Sequence, residues 1–463
     1  MGDLILRTES AGSWAAMLGR FHFRHLEPGV LVAPNERSYR VSTLGCRVNR
    51  ADSLSIEREL AGRGYRRALA GEVPTVWVVN TCAVTGEGMR KSRKLVRRCA
   101  RSGARVVVTG CGADFDPEAL RVPGVAAVVP NKDKSIIESA ACPGAGGEGQ
   151  ATGSVPWSPE ELVRVPLKVQ EGCGRFCSYC IVPYLRPPPH SVPSGSVLAE
   201  VRALRSRGVG EIVLCGIDLG SYREPSCGDT LESLVASVLE EAGDMWVRLS
   251  SIELSDVNDG LVGLLAEENS LCGQLHLPLQ SGDETVLSDM GREYEPDEFK
   301  RKVEEIRHIV PGIGITTDVM VGFPTEDERA FLNTRGLLSS AGFSRAHVFR
   351  YSPRRGTAAF PLGDPVTPEA KNKRAAELRE TAREGARRFH ETFVGRIIPV
   401  LVEARMKNEP GCLFARAESF AGVVMEGSEE LVGRFVEVEI TSAGPEGMRG
   451  RIERTEPGTN QGR

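Results

Sequence analysis

Apolar residues follow two alternating rhythms along most of this chain. Short strand-length apolar runs alternate with stretches where apolar residues return every three or four positions. Between about residues 159 and 390, six runs read as strands: Pro166–Gln170, Glu211–Cys215, Trp246–Ser250, Gln274–Pro278, Ile313–Val321 and Ala346–Tyr351. Helical periodicity fills the intervals, for example over Ser196–Arg207, Leu231–Glu241 and Glu326–Ala341. Repeated strand–helix units predict parallel strands joined by right-handed crossovers, and hence an α/β fold. Six such units build either an open doubly wound sheet or an incomplete barrel. In both, function gathers at the carboxyl ends of the strands.

The flanks have other textures. Residues 36–141 repeat the strand–helix rhythm on a smaller scale, and the Gly-rich run 142–158 reads as a linker. In 391–455, Val- and Glu-rich runs such as Ile397–Val402 and Phe435–Ile440 are broken by Gly and Pro, which predicts a small β-barrel. The polar tail 456–463 is expected to fray. Residues 1–35 lack the continuous apolar run of a signal peptide, and read as a disordered extension or the product of an early start codon.

Composition narrows the function classes. A chain of 463 residues, 41% hydrophobic, has room for two to four domains. Its formal charge of −4 excludes an all-over basic coat but permits a local one. No stretch has the apolar length of a membrane span, and a cytoplasmic location is expected. In that reducing compartment the 12 cysteines do not read as a disulfide scaffold.

Spacing separates six of them from the rest. The first strand of the middle region runs into Glu171-Gly-Cys173-Gly-Arg-Phe-Cys177-Ser-Tyr-Cys180, a Gly-bearing loop that can aim three thiolates at one centre. Such soft ligands suit zinc or an iron–sulfur cluster. Structural zinc wants four ligands, and the next candidate, His190, lies ten residues on among prolines. Three thiolates on a four-iron cluster leave one iron open. The first region repeats this logic over a longer span: Cys46, Cys82 and Cys111 each follow a predicted strand, at Val41-Ser-Thr-Leu-Gly-Cys46, Thr75-Val-Trp-Val-Val-Asn-Thr-Cys82 and Arg105-Val-Val-Val-Thr-Gly-Cys111. Three strand-end cysteines would meet at one sheet edge. Cys99, Cys142, Cys215, Cys227, Cys272 and Cys412 lack this placement and read as structural or incidental.

The Cys-x3-Cys-x2-Cys spacing resembles the signature of radical S-adenosylmethionine enzymes, and the whole of residues 36–455 resembles the methylthiotransferase family. Arg248-Leu-Ser-Ser-Ile-Glu253, His276-Leu-Pro-Leu-Gln-Ser-Gly282, Thr317-Asp-Val-Met-Val-Gly-Phe-Pro324 and Tyr351-Ser-Pro-Arg-Arg-Gly-Thr357 carry the likeness at the ends of predicted strands three to six. The resemblance implies an amino-terminal α/β cluster domain, a partial (β/α)6 radical S-adenosylmethionine barrel and a carboxyl-terminal TRAM β-barrel. It implies two 4Fe–4S clusters, on Cys173, Cys177 and Cys180 and on Cys46, Cys82 and Cys111. The first would chelate S-adenosylmethionine and cleave it reductively to a radical; the second would supply or carry sulfur, and a second S-adenosylmethionine the methyl group. Tyr179, against the adenine or simply in the core, and Glu253, His276 and Gln280, placed on strands three and four, are candidate cofactor or base contacts.

Thr43-Leu-Gly-Cys46-Arg-Val-Asn49, Asn80-Thr-Cys82-Ala-Val-Thr85 and Lys91-Ser-Arg93 look most like the branch acting on N6-threonylcarbamoyladenosine at tRNA position 37, in the anticodon stem-loop. The resemblance also implies an electron donor such as a flavodoxin or ferredoxin; it names no sulfur source. One departure stands out: Leu185-Arg-Pro-Pro-Pro-His-Ser191 has Pro187 where the family carries glycine and His190 where it carries a second arginine. Local charge agrees with RNA. Eight basic residues and no acidic one lie between Arg90 and Arg105, an electrostatic footprint for phosphate, whereas Lys371–Arg388 interleaves its cations with Glu377, Glu380 and Glu384. The competing readings are isopentenyladenosine or a ribosomal-protein aspartate as substrate, a non-catalytic iron–sulfur RNA binder, and a zinc-bearing RNA binder.

Overall fold

The computed structural model describes residues 37–141 and 163–454; the expectations for 1–35, for the linker 142–158 with Cys142 and for the tail 456–463 lie outside them. The amino-terminal unit is a parallel sheet of order β2-β1-β3-β4-β5, with β1 Ser38–Thr43, β2 Arg66–Arg67, β3 Val76–Thr81, β4 Arg105–Gly110 and β5 Val125–Val128. Helix α1 (Arg47–Gly62) follows β1, and α2 (Gly86–Ala100) follows β3. Val76, Val78, Val106 and Val107 are buried in the sheet, which is why β3 and β4 read as apolar runs rather than alternating ones. Register decides what happens at the sheet edge. Thr43 pairs with Asn80 and Asn80 with Thr109, so the three central strands end level with one another.

The middle region is the incomplete barrel. Strands β6 (Arg164–Lys168), β9 (Glu211–Cys215) and β10 (Trp246–Leu249) form one parallel sheet; β11 (Gln274–His276), β12 (Gly314–Val321) and β13 (Arg345–Arg350) form a second. Parallel bridges Val247↔Leu271 and Ser251↔His276 join them into one curved wall. The predicted run Pro166–Gln170 is split at Val169, because Gln170–Glu171 (β7) turns away to pair with His190–Ser191 (β8). Period-2 alternation sorts the side chains. Val165, Ile212, Leu214, Val247, Leu275, Ile315 and Val348 belong to the helix-covered core. Their neighbours Arg164, Glu211, Arg248, His276, Thr316, Asp318, Arg345 and His347 therefore face the lumen, and that polar lining makes the interior a site rather than a packed core.

Helix Pro368–Glu391 leads from β13 to a closed five-stranded barrel of order β14-β15-β16-β18-β17: β14 Ile397–Arg405, β15 Cys412–Ala417, β16 Gly422–Glu426, β17 Phe435–Gly444 and β18 Gly447–Arg454. The turn between β15 and β16 reaches the amino end of the larger barrel. Arg248 donates to the carbonyl oxygen of Glu418 at 2.6 Å. A Cβ on Gly314 would lie 2.0 Å from the Ser419 carbonyl oxygen, so only glycine lets the turn seat there. Phe420 follows with φ of 72°.

Candidate iron–sulfur centres and the lumen between them

Each dispersed cysteine sits just past a strand that ends level with the others. Gly45 and Gly110, preceding Cys46 and Cys111, have φ of 101° and 88°, a turn that L side chains adopt only with strain. A Cβ at Gly110 would stand 2.3 Å from Asn80 Oδ1. Asn49 donates to the Leu44 and Thr81 carbonyls at 2.7 and 3.0 Å, stitching the Cys46 turn to the Cys82 turn. The three thiols lie near enough that ionising any one opposes ionising another. Burial pushes the Cys82 thiol up to about 11 and raises that of Cys111 as well.

The compact set needs less scaffolding. Gly172, with φ of 77°, opens the loop, and its missing Cβ leaves room for the Pro187 carbonyl oxygen, 2.3 Å from where that carbon would be. The Pro187–His190 departure is thus absorbed as backbone packing against Gly172, while His190 is exposed and its ring Nδ1 contacts the Pro188 carbonyl oxygen. Burial pushes the Cys173 thiol up to about 11 and that of Cys180 up to about 12. Arg292 Nη1 lies 3.5 Å from Cys177 Sγ and 3.1 Å from Glu253 Oε1. Arg175 is held by Asp218 at 3.1 Å and by Asp256.

One residue that the spacing arguments did not single out joins the two sets. Arg186, its side chain wholly buried, pairs with Asp52 and Glu171 at 3.0 Å each and donates to Asn49 Oδ1. Its guanidinium lies against Cys111 and near Cys46. Asp52 also binds Lys134 and Lys168, so the seam between the two regions is a buried ionic network. The signal was available in the sequence: an arginine six residues past Cys180, followed by three prolines.

The other candidates are spread out. Tyr179 packs its ring against a small core of Val286, Met290, Met320 and Tyr351. Glu253 and Gln280 lie beyond the ends of β10 and β11 rather than on them, which corrects the expectation that both sit on strands. Gln280 has φ of 62°, and its Oε1 is buried without a hydrogen-bond partner. His276 is in the lumen, with Nδ1 3.0 Å from Thr316 Oγ1 and Nε2 3.4 Å from Asp318 Oδ2. His347 approaches the other Asp318 oxygen at 3.3 Å. Among the described residues no hydrogen bond joins Glu253, His276 and Gln280 to one another.

On the outside, α2 buries Met89, Ser92, Val96 and Cys99 and leaves Lys94, Arg97 and Arg98 exposed. Arg90 and Lys91 are both occupied by Glu87. The second basic cluster is largely neutralised, with Arg374 on Glu326, Arg383 on Glu446 and Arg387 on Glu384. Cys99, Cys215 and Cys272 are buried and Cys227 is exposed.

Comparison with known proteins supplies the frame. Residues 167–338 match the Radical SAM superfamily, residues 38–129 the Uncharacterized protein family UPF0004, and residues 391–452 the TRAM domain. The chain is 32% identical over 425 residues to the threonylcarbamoyladenosine tRNA methylthiotransferase MtaB of Bacillus subtilis, covering 87% of this chain and 93% of that one. It is 35% identical over 433 residues to the tRNA-2-methylthio-N(6)-dimethylallyladenosine synthase of Alkalilimnicola ehrlichii, covering 89% and 96%. The chain belongs to the radical S-adenosylmethionine methylthiotransferases. This methylthiotransferase is therefore an enzyme, and its cofactors are two 4Fe–4S clusters and S-adenosylmethionine. The radical S-adenosylmethionine methyltransferase TsrM of Kitasatospora setae shares the fold, with a TM-score of 0.51 at 14% identity over 70% of this chain and 77% of that one.

The residues present fit two clusters. Backbone N–H groups two residues on, at Arg175, Val182 and Val84, point to the sulfurs of Cys173, Cys180 and Cys82. Such donors stabilise thiolate in a cluster. Arg186 Nε is buried with no hydrogen-bond partner, beside thiols that a cluster would turn into acceptors. Among the described residues no three His, Cys, Asp or Glu side chains are arranged to hold a single metal ion, whereas a cluster presents its irons at separate corners.

Proposed function

We propose that Cys173, Cys177 and Cys180 hold the cluster that chelates S-adenosylmethionine, that Cys46, Cys82 and Cys111 hold the second, and that the substrate is N6-threonylcarbamoyladenosine at position 37 of tRNA, presented by the anticodon stem-loop. The observation that carries the two-centre reading is Arg186, which touches Cys111 on one side and Glu171, two residues before Cys173, on the other. When bound, the cofactors supply one-electron cleavage of S-adenosylmethionine, removal of the adenine C2 hydrogen, and the sulfur and methyl groups. The chain's own part is positional. Gly45, Gly110 and Gly172 aim the thiols, Arg292 and Glu253 brace the Cys177 side, and Arg186 sets one centre against the other. Tyr179, His276 and Gln280 line the approach to cofactor and base. The three-part division at 36–141, 159–390 and 391–455 gives the cluster, barrel and RNA-holding units, with α2 and the TRAM barrel on the RNA side. The electron donor is a small flavodoxin- or ferredoxin-type protein, and the location is cytoplasmic; no helix among the described residues is long and apolar enough to cross a membrane.

Relatives bearing the threonylcarbamoyladenosine name, at 32% and 33% identity, support this substrate. The 35% identity to a dimethylallyladenosine synthase keeps that base as the second reading. Mass analysis of tRNA nucleosides from a strain lacking the gene, complemented with wild type or with a Cys173, Cys177, Cys180 to Ala variant, separates them. The methylthio form of threonylcarbamoyladenosine should return with wild type only. Return of methylthio-dimethylallyladenosine instead would overturn the substrate assignment.

A further inference from the structure

The floor of the barrel lumen carries more positive charge than its carboxylates neutralise. Arg164 binds Glu211 at 3.1 Å and Glu403 at 2.7 Å, Arg248 binds Glu211 at 2.8 Å, and Arg416 binds Glu403 at 2.6 Å. These three arginines and two glutamates satisfy one another. Two further arginines reach the same floor and stay outside the network. Arg47, the residue after Cys46, extends over the Phe420 ring at 5.5 Å, where Arg164 and Arg248 repel it more than Glu211, already held by both of them, attracts it. Arg345, the first residue of β13, faces the lumen beside Arg416. Among the described residues neither forms an ion pair or a side-chain hydrogen bond. The nearby acid, Asp318, is already shared by His276 and His347. Solvent reaches this space: the side chain of His347 is 64% exposed and that of Asp318 is 32% exposed.

Arg47 is half-buried and Arg345 is exposed, so both guanidiniums are open to an incoming anion, and a guanidinium is the side chain best shaped for a carboxylate. Resting on the substrate reading given above, we propose that Arg47 and Arg345 form a receptor for the carboxylate of the base's N6 substituent. They thereby select a threonylcarbamoyl group over an apolar dimethylallyl group. A threonine linked through its nitrogen keeps its carboxylate free, whereas a dimethylallyl group offers the floor nothing but hydrocarbon and would leave both cations unpaired. Because Arg47 adjoins Cys46, a carboxylate held there also orients the adenine relative to the Cys46, Cys82 and Cys111 centre. Phe420, stacked under Arg47, Arg164, Arg248 and Arg416, fixes the floor on which the receptor stands.

The test is equilibrium binding of synthetic anticodon stem-loops to the full-length, cluster-loaded protein under anaerobic conditions. One stem-loop carries threonylcarbamoyladenosine and the other its neutral methyl ester, so that phosphate and base contacts are identical. Wild type should prefer the acid by about tenfold, the scale of one charge-assisted hydrogen bond. Arg47→Gln and Arg345→Gln should each pull that ratio toward one while leaving ester binding unchanged, and Arg345→Lys should keep most of it. A wild-type ratio near one overturns the receptor without recourse to any variant. So does equal weakening of both stem-loops in the Gln variants, which would make the bound anion an RNA phosphate. If the cellular product proves to be methylthio-dimethylallyladenosine, the substrate reading fails; if it is the threonylcarbamoyl form and the ratio is one, only the receptor fails.

Discussion

The two cysteine sets reach similar ends by opposite routes. Cys173, Cys177 and Cys180 are gathered by the chain itself within a single loop, and the barrel only has to present that loop at the end of β6. Cys46, Cys82 and Cys111 are gathered by topology. Their convergence depends on the level ends of β1, β3 and β4, on two left-handed glycines and on Asn49 bridging adjacent turns. A locally encoded centre should tolerate loosening of the fold around it. A topologically encoded one should fail as soon as the sheet edge shifts.

The contrast is broken most strongly at Arg186. Arg186→Met would leave Asp52 to Lys134 and Lys168 and Glu171 to Lys168 alone, so the loss should reach at most about 3–5 kcal/mol, the cost of a buried charge stripped of its partner. Chemical denaturation should show that loss, with iron content falling from about eight per chain toward about four, as loss of one four-iron cluster requires. Retention of both clusters and of stability would detach the seam from the centres. Next comes Gly110→Ala, which combines a left-handed backbone with a Cβ clash against Asn80. It should cost at least about 1–3 kcal/mol and empty the dispersed site selectively. Iron analysis and melting curves would read both, and loss of the compact cluster instead would reverse the argument.

A smaller effect concerns acid. Burial acts to raise the Asp52 pKa, but Lys134, Lys168 and Arg186 together outweigh it and hold the carboxyl below its usual range. A depressed carboxylate stabilises the fold above its unfolded pKa, about 3.9, and that contribution is lost as pH falls through the folded value. The stability gap between wild type and Asp52→Asn should therefore narrow as pH is lowered from about 6 to about 3. A gap independent of pH would mean the network is not ionised as drawn. The mildest change is on the outer face. Replacing Lys94, Arg97, Arg98 and Arg101 with Ala should weaken tRNA binding. It should also flatten its salt dependence by roughly 0.7–0.9 for each side chain that reaches a phosphate. An unchanged slope would remove α2 from the RNA interface.

Legibility followed the same divide. The loop cysteines, the six barrel strands and the closed terminal barrel could be read from spacing and period, because each is fixed by residues close in sequence. The dispersed cysteines were readable only as strand-end positions, since register is not written in any single segment. The choice between open sheet and partial barrel rested on the bridges between β10 and β11, which no local pattern specifies. Arg186, Arg292 and the lumen arginines escaped notice because a lone arginine in sequence looks like surface. Only the fold shows Arg186 facing Asp52 across 134 positions. Glu253 and Gln280 were placed on strands because their apolar neighbours continue past the last ladder hydrogen bond.

The central claim is that one chain builds two cluster sites by these two routes. Iron and sulfide content with electron paramagnetic resonance, on anaerobically reconstituted wild type and on Cys173/Cys177/Cys180→Ala and Cys46/Cys82/Cys111→Ala variants, tests it most directly. About eight irons in wild type and about four in each variant, with distinct spectra, are expected for two four-iron clusters. A wild type holding about four irons, or a dispersed-site variant that still holds about eight, would contradict the account.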